Sequence, residues 1–336
     1  MVNIAYHLSF VNRYATLLAM KVGIESVQQD KITGSLQGLA VGDALGTTIE
    51  FALRDAVPVV TDIVGGGPFE LEAGQWTDDT SMALCIAASL AETGAYDPTD
   101  QLERFVHWRD EGYMSSNGRC FDIGTQTSSG LYDYERTGEP YRADTSSRNS
   151  GNGSLMRLAP VPMAFSNDIK LAGELSADSS RTTHPSIECQ EACGTYGQLI
   201  ASAISGSTKE ELYEFARGLA DTVTSSKIAN VLNGSYRSKT RDEISSSGYV
   251  VDSLEAALWA FAGSNDFEQG ALLAVNLADD ADTVGAIYGQ LAGAYYGKSG
   301  IPERWIEKLH AADMIENLAK RIAGKIGTYA IKSAQR

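Results

Sequence analysis

Positive charge, histidine and cysteine are scarce in this chain, and each shortage argues against a class of function. Of 336 residues, Lys and Arg supply 27 against 43 Asp and Glu, a formal charge of −16. A duplex nucleic-acid binder needs a basic footprint to displace counterions, so that role is disfavoured. Four cysteines are too few for a disulfide scaffold. Cys189 and Cys193 stand four apart on a helical pattern and read as small apolar packing residues. Cys85 sits in another apolar helix, which leaves Cys120, in a loop, as the candidate for a reactive thiol. His7, His107, His184 and His310 are scattered with no HExxH spacing, which argues against zinc. No apolar run reaches the ~18 residues of a membrane helix. The N-terminus has neither the early basic cluster nor the unbroken apolar core of a signal peptide. The expectation is a reduced, cytoplasmic protein without a membrane or nucleic-acid partner.

Nucleotide and acyl-transfer signatures are missing too. The segment Gly293-Ala294-Tyr295-Tyr296-Gly297-Lys298-Ser299 approaches a phosphate-binding P-loop but is one residue short between its glycines. Neither G-x-G-x-x-G nor G-x-S-x-G occurs. Strand signals are confined to Val57–Val60 and Tyr249–Val251.

What is present is an ordinary globular composition, 43% hydrophobic and 21% charged, able to bury a sizeable core. Its 33 glycines exceed the usual ~7% share. Apolar residues recur at three- and four-residue steps, the mark of helices packed on a core. Cys189, Ala192, Cys193, Tyr196, Leu199, Ile200 and Ala203 form one such stripe. Leu212 to Leu219, Leu254 to Phe261 and Val284 to Tyr295 form others, and a last long helix is predicted through Trp305, Leu309, Ala312, Ile315, Leu318 and Ile322. With no long linker, the chain reads as one all-α domain over 31–336. Residues 1–30 precede the first strong motif and read as an extension with a rough helical stripe of Ile4, Leu8, Val11 and Leu18, first of all an extra helix packed on the domain's own surface and, as the alternative, a partner-binding segment.

Acidic residues, so abundant overall, gather where they are hardest to explain as surface charge. Gly38 to Gly46 is built of small residues around Asp43, with Glu50-Phe51 just beyond; buried there, both acids need partners. Gly74-Gln75-Trp76-Thr77-Asp78-Asp79-Thr80 precedes an apolar helix, and an N-cap explains one of its aspartates but not two. Asp279-Asp280-Ala281-Asp282-Thr283 places three carboxylates in four residues before another helix. A helix N-terminus relieves only ~0.3–1 kcal/mol of repulsion per charge, whereas a bound cation relieves far more, and oxygen-only donors favour Mg²⁺, Mn²⁺ or Ca²⁺. Asp280 and Asp282 fall on opposite sides of a helix, so they converge only from a loop or first turn. Between the acidic segments, Ser147 to Arg157 is a Gly/Asn/Ser run whose backbone N–H groups can form an anion-binding nest.

Taken together and in this order, from roughly Lys31 to Trp305, these segments resemble the ADP-ribosylglycohydrolase family. Gly112-Tyr113-Met114-Ser115 and Gly118-Arg119-Cys120-Phe121-Asp122-Ile123-Gly124 are most similar to its dinitrogenase reductase-activating branch, which removes ADP-ribose from arginine. The resemblance implies a single compact orthogonal helical domain with a two-metal Mg²⁺ or Mn²⁺ centre. It carries metal ligation onto Glu50, Thr77, Asp78, Asp79, Asp280, Asp282 and Thr283, with Glu50, Asp79 and Asp280 as catalytic carboxylates. It carries contact with ADP-ribose onto Gly118, Asp122, Asn149, Ser150, Gly151, Asn152 and His184. Ala278 departs from the family, which would place glycine there. The implied substrate is an ADP-ribosylated protein. A rival expectation is a catalytically silent ADP-ribose reader or a crystallin-like structural relative. Some bacterial relatives neutralise ADP-ribosyltransferase toxins, and the stripe of residues 1–30, with Tyr6, Phe10 and Tyr14, offers anchors for such a toxin.

Overall fold

The computed structural model describes residues 2–143, 145–146 and 150–332, with side chains from residue 25 onward. Asn149 and the side chains of the N-terminal stripe lie outside the described residues.

Helices dominate, as the periodicity predicts. In chain order they are α1 (Val2–Gly46), α2 (Asp78–Thr93), α3 (Pro98–Glu111), α4 (Thr125–Thr137), α5 (Pro160–Ala164), α6 (Ile169–Ser180) and α7 (Ile187–Ile204). There follow α8 (Lys209–Leu219), α9 (Ser226–Leu232), α10 (Val250–Ala262), α11 (Phe267–Val275), α12 (Ala281–Tyr296), α13 (Glu303–Lys308) and α14 (Ala312–Ala323). The regular strands among the described residues are β1 (Ala95–Tyr96) and β2 (Ala330–Ile331), a short parallel pair that ties the C-terminal segment to the turn after α2.

The centre of the molecule is the antiparallel pair α1 and α12, and its closeness is written in glycine. Gly34, Gly38, Gly42 and Gly46 recur every four residues, one ridge of a helix. They face Gly293, Gly289, Gly285 and the Ala281–Asp282 backbone in turn. A Cβ on Gly42 would fall 2.0 Å from the Gly285 carbonyl oxygen, and one on Gly289 2.0 Å from that of Gly38. The two backbones touch, and no larger residue fits between them. Around this axis α1 buries Ile32, Leu36, Leu39, Val41 and Leu45, all without exposed surface. Helices α7, α10 and α11 pack on α12, while α2 and α14 pack on α1.

Helix α1 is continuous through residue 30. Glu25, Ser26 and Val27 are exposed. From there the helix is fastened: Asp30 accepts from the Ser299 N–H and hydroxyl, and Lys31 Nζ donates to the Ala203 carbonyl at 2.8 Å.

Two expectations from the sequence differ from the structure. Val57–Val60 forms no strand, and at Tyr249–Val251 there is a single bridge from Tyr249 to Gly151 before α10 begins. The last long helix is broken in two. His310 N–H leaves the helical ladder to donate to the Gly74 carbonyl at 3.0 Å, and Ala311 takes a left-handed φ of 46°. That break holds the loop leading into the first acidic motif against the C-terminal helices.

Candidate active site

Helix α2 is not capped by the Thr-Asp-Asp run that precedes it. The cap comes from another helix. Asp43 on α1, fully buried, accepts from the backbone N–H groups of Thr77 and Thr80 at 3.0 Å each. It also accepts from their hydroxyls at 3.1 and 2.6 Å. One carboxylate therefore satisfies two of the orphan donors of the α2 terminus, which frees Asp78 and Asp79 to point elsewhere. Burial still dominates at Asp43 and pushes its carboxyl up to about 6 against those four hydrogen bonds.

The second acidic motif is set by backbone geometry. Ala278 and Asp279 both adopt left-handed conformations, φ 60° and 59°, and turn the chain sharply into α12. Asp279 N–H donates to the Ala52 carbonyl at 3.0 Å and Phe51 N–H to that of Asp279 at 2.7 Å. This pins the segment after Glu50 to the second motif. Asp282 then lies in the first turn of α12, where the glycine axis brings it beside α1 and α2. Thr77 Oγ1 lies 3.2 Å from an Asp282 oxygen, and Thr283 Oγ1 donates to Asp79 at 3.2 Å. Asn152 Nδ2 donates to Asp280 at 2.7 Å and fixes its orientation.

The result is two carboxylate triads that share one member. Oxygens of Asp43, Asp79 and Asp282 lie within 4.8 Å of one another, as do oxygens of Glu50, Asp122 and Asp282. Among the described residues no Lys or Arg forms an ion pair with any of them. Glu50 Oε2, Asp79 Oδ2 and Asp282 Oδ1 are buried with no hydrogen-bond partner. Burial first, then repulsion between neighbours, lifts Glu50, Asp78, Asp79 and Asp282 well above the usual carboxylate range. Burial also lifts Asp122, to about 7, and raises Asp280. Buried acceptors left unpaired cost on the order of 1–3 kcal/mol each. An all-oxygen donor set of this density fits hard divalent cations, so the residues present can hold a metal.

Above the triads opens a cavity of about 420 Å³. Glu50, Asp78, Asp122, Asp280 and Thr283 line its acidic side, and Gly151, Asn152 and His184 line the other. Asp79 and Asp282 lie beneath it. The loop that carries Gly151 and Asn152 is clamped in place: Val250 N–H donates to the Ser150 carbonyl at 2.9 Å, and Asn152 N–H to that of Gly248 at 3.1 Å. Gln126 accepts from Gly151 N–H at 2.9 Å. A second cavity of about 400 Å³, walled by Tyr213, Tyr236, Trp259 and Phe261, has no such carboxylate cluster.

Most residues singled out in the sequence thus meet at one place. Gly118 does not line the cavity; with φ 76° it closes a turn whose carbonyl packs on Gly112. Ser150 is buried behind the loop, its hydroxyl donating to Ser186 at 2.9 Å. Cys120 is half-buried, and burial pushes its thiol up to about 11, which removes the thiolate a reactive cysteine needs. Asp43 is the functional residue whose role the sequence hid: its small-residue setting signals burial, but nothing local reveals that it caps a helix 34 positions away.

The sequence profile of the ADP-ribosylglycohydrolase family matches residues 25–330. A protein named ADP-ribosylarginine hydrolase Tri1 from Pseudomonas putida (strain GB-1) is 44% identical over 87% of this chain and 78% of its own. The ADP-ribosyl-[dinitrogen reductase] glycohydrolase of Rhodospirillum rubrum is 32% identical over 83% of this chain and 90% of its own. A solved structure titled ADP-ribosylglycohydrolase-related protein complex superposes with a TM-score of 0.80 at 41% identity, covering 89% of this chain and 99% of that one.

Proposed function

The chain belongs to the ADP-ribosylglycohydrolase family, and from that premise we propose that it is a metal-dependent hydrolase that removes ADP-ribose from arginine side chains of modified proteins. The observation that carries this reading is the pair of carboxylate triads sharing Asp282, with three orphaned buried oxygens, on the floor of a cavity walled by Gly151, Asn152 and His184. The name and 44% identity of the Pseudomonas putida relative support the arginine linkage.

In this reading Glu50, Thr77, Asp78, Asp79, Asp280, Asp282 and Thr283 hold two Mg²⁺ or Mn²⁺ ions, and Asp43 keeps the α2 terminus in place beneath them. When bound, such cations supply Lewis acidity at the sugar and polarise water. The chain's own groups do the rest. Asn152 keeps the Asp280 carboxylate turned toward the cavity. A carboxylate of the site, Glu50 on the cavity wall or one of the neighbouring aspartates Asp79 and Asp280, takes a proton from water and returns it to the departing guanidine. The loop at Ser150, Gly151 and Asn152, with Asp122 and His184, holds the ADP-ribose. The acidic wall attracts the cationic arginine linkage.

Residues 1–30 form, in the same proposal, a docking segment for a cognate ADP-ribosyltransferase toxin, so that the protein both blocks the toxin and reverses its product. In support, the family profile begins only at residue 25, and the segment carries Tyr6, Phe10 and Tyr14 among its apolar residues. Deleting residues 2–28 should then abolish tight transferase binding and leave the hydrolase rate and thermal midpoint intact.

Release of free ADP-ribose from an arginine-modified protein tests the enzyme assignment. It should stop in chelator and return with Mg²⁺ or Mn²⁺, and Asp282→Ala should abolish both turnover and metal binding. Full activity of that variant in chelator would refute the metal-dependent reading, and binding of ADP-ribose without turnover would favour the silent reader.

A further inference from the structure

Behind His184 lies a fully buried cation that the carboxylate site does not use. Arg157 is 1% exposed and, among the described residues, pairs with no carboxylate. Its guanidinium sits over the Phe105 ring, 4.6 Å from the centroid, and donates through Nη2 to Thr183 Oγ1 at 2.6 Å and Thr182 Oγ1 at 3.3 Å. Thr183 Oγ1 also lies 2.8 Å from His184 Nδ1.

The directions of these bonds follow from chemistry. A guanidinium only donates, so the Thr183 oxygen accepts from Arg157. The Thr183 hydroxyl proton has one remaining acceptor among the described residues, His184 Nδ1, and a buried hydroxyl left without an acceptor is penalised. Nδ1 therefore accepts, and the ring proton sits on Nε2. We propose that Arg157 and Thr183 are positioning residues that lock His184 as the Nε2–H tautomer, making it a fixed hydrogen-bond donor toward an oxygen acceptor of the bound substrate.

Three features fit this assignment. His184 lines the cavity, and Nε2 has no protein partner among the described residues. Gly151 and Gly153 leave that ring edge open: a Cβ on Gly153 would fall 2.8 Å from His184 Cε1 and 3.0 Å from Nε2. Burial, with Arg157 and Arg142 nearby, holds the imidazole pKa well below its usual value, so the ring is neutral and Nε2–H is a donor, not an acid. Under the glycohydrolase reading the acceptor is a phosphate or ribose hydroxyl oxygen of ADP-ribose. The tautomer itself does not depend on that reading.

The test combines nitrogen-15 NMR of the histidine ring in the free protein with steady-state kinetics. The His184 signals of the wild type should report a protonated Nε2 and an unprotonated Nδ1. Thr183→Val, close in shape but without the hydroxyl, should lose that pattern and raise KM for an ADP-ribosyl-arginine protein about tenfold with little change in kcat. Thr183→Ser should restore both. A wild-type spectrum with the proton on Nδ1 overturns the proposal, whatever the fate of the valine variant. So does a folded Thr183→Val protein with unchanged tautomer and KM. If the wild type shows the Nε2–H pattern but no ADP-ribose is released, the enzymatic reading fails while the relay stands.

Discussion

Replacing Gly46 by alanine, and separately Gly34, distinguishes what the glycine axis does for stability from what it does for the site. The two positions are sterically alike. A Cβ on Gly46 would lie 2.3 Å from the Ala281 oxygen and 2.4 Å from the Asp282 Cα; one on Gly34 would lie 2.4 Å from the Gly293 oxygen. Ordinary contact begins near 3.4 Å, so either methyl group forces the helices about 1 Å apart locally. Such overpacking costs about 1–3 kcal/mol. With an unfolding entropy of about 2.1 cal/mol/K per residue, 336 residues give about 0.7 kcal/mol/K, so each variant should melt about 1–4 °C lower. Their activities should part company. Gly34 is twelve residues from Gly46, about 18 Å along the helix, and its displacement leaves the triads alone. Gly46→Ala pushes directly on Asp282, the carboxylate both triads share, and a misplacement of about 1 Å can cost 100-fold in rate. We expect calorimetry to find similar losses in the two variants. ADP-ribose release should fall about 100-fold in Gly46→Ala and by no more than a few-fold in Gly34→Ala. Equal activity in the two proteins would refute the reasoning.

Metal-free protein should grow less stable as pH rises from about 4 to about 7. Asp43 and Asp122 have folded-state pKa values raised to about 6 and about 7, so the folded state holds protons that the unfolded state releases near 4. The stabilisation is complete below about 4 and lost above 7; denaturant titrations in chelator at several pH values would detect it, and a flat profile would oppose it. Ala278→Gly should stabilise the protein by about 1 kcal/mol, because alanine at φ 60° carries a left-handed penalty of about 1–2 kcal/mol that the entropy of glycine only partly offsets; a lower melting temperature would contradict this. Arginine-linked ADP-ribose should be released much faster than serine-linked ADP-ribose from matched peptides, and equal rates would move the protein to another branch of the family.

The helices and the two acidic motifs were legible because each is a local pattern: three- and four-residue apolar steps, and carboxylates too dense for a plain cap. Relations between distant segments were not. That Asp282 belongs to both triads depends on α12 touching α1 at Gly46, and that Asp43 caps α2 depends on α1 packing against the start of α2. The break at His310 was hidden because its cause, the Gly74 carbonyl, lies more than 200 positions away. Arg157 read as one basic residue at the end of a loop. Its burial against Phe105 and Thr183 appears only when α3 and the turn after α6 come together.

The glycine contact between α1 and α12 also sets a clock. Gly42 meets Gly285, and a ribosome adding about 5–20 residues per second takes roughly 12–50 seconds to travel between them. Throughout that interval the glycine ridge of α1, Gly34, Gly38, Gly42 and Gly46, has no α12 to cover it. Helix α1 thus emerges well before the helix that completes its packing, and an exposed helix face in a growing chain is a target for chaperones.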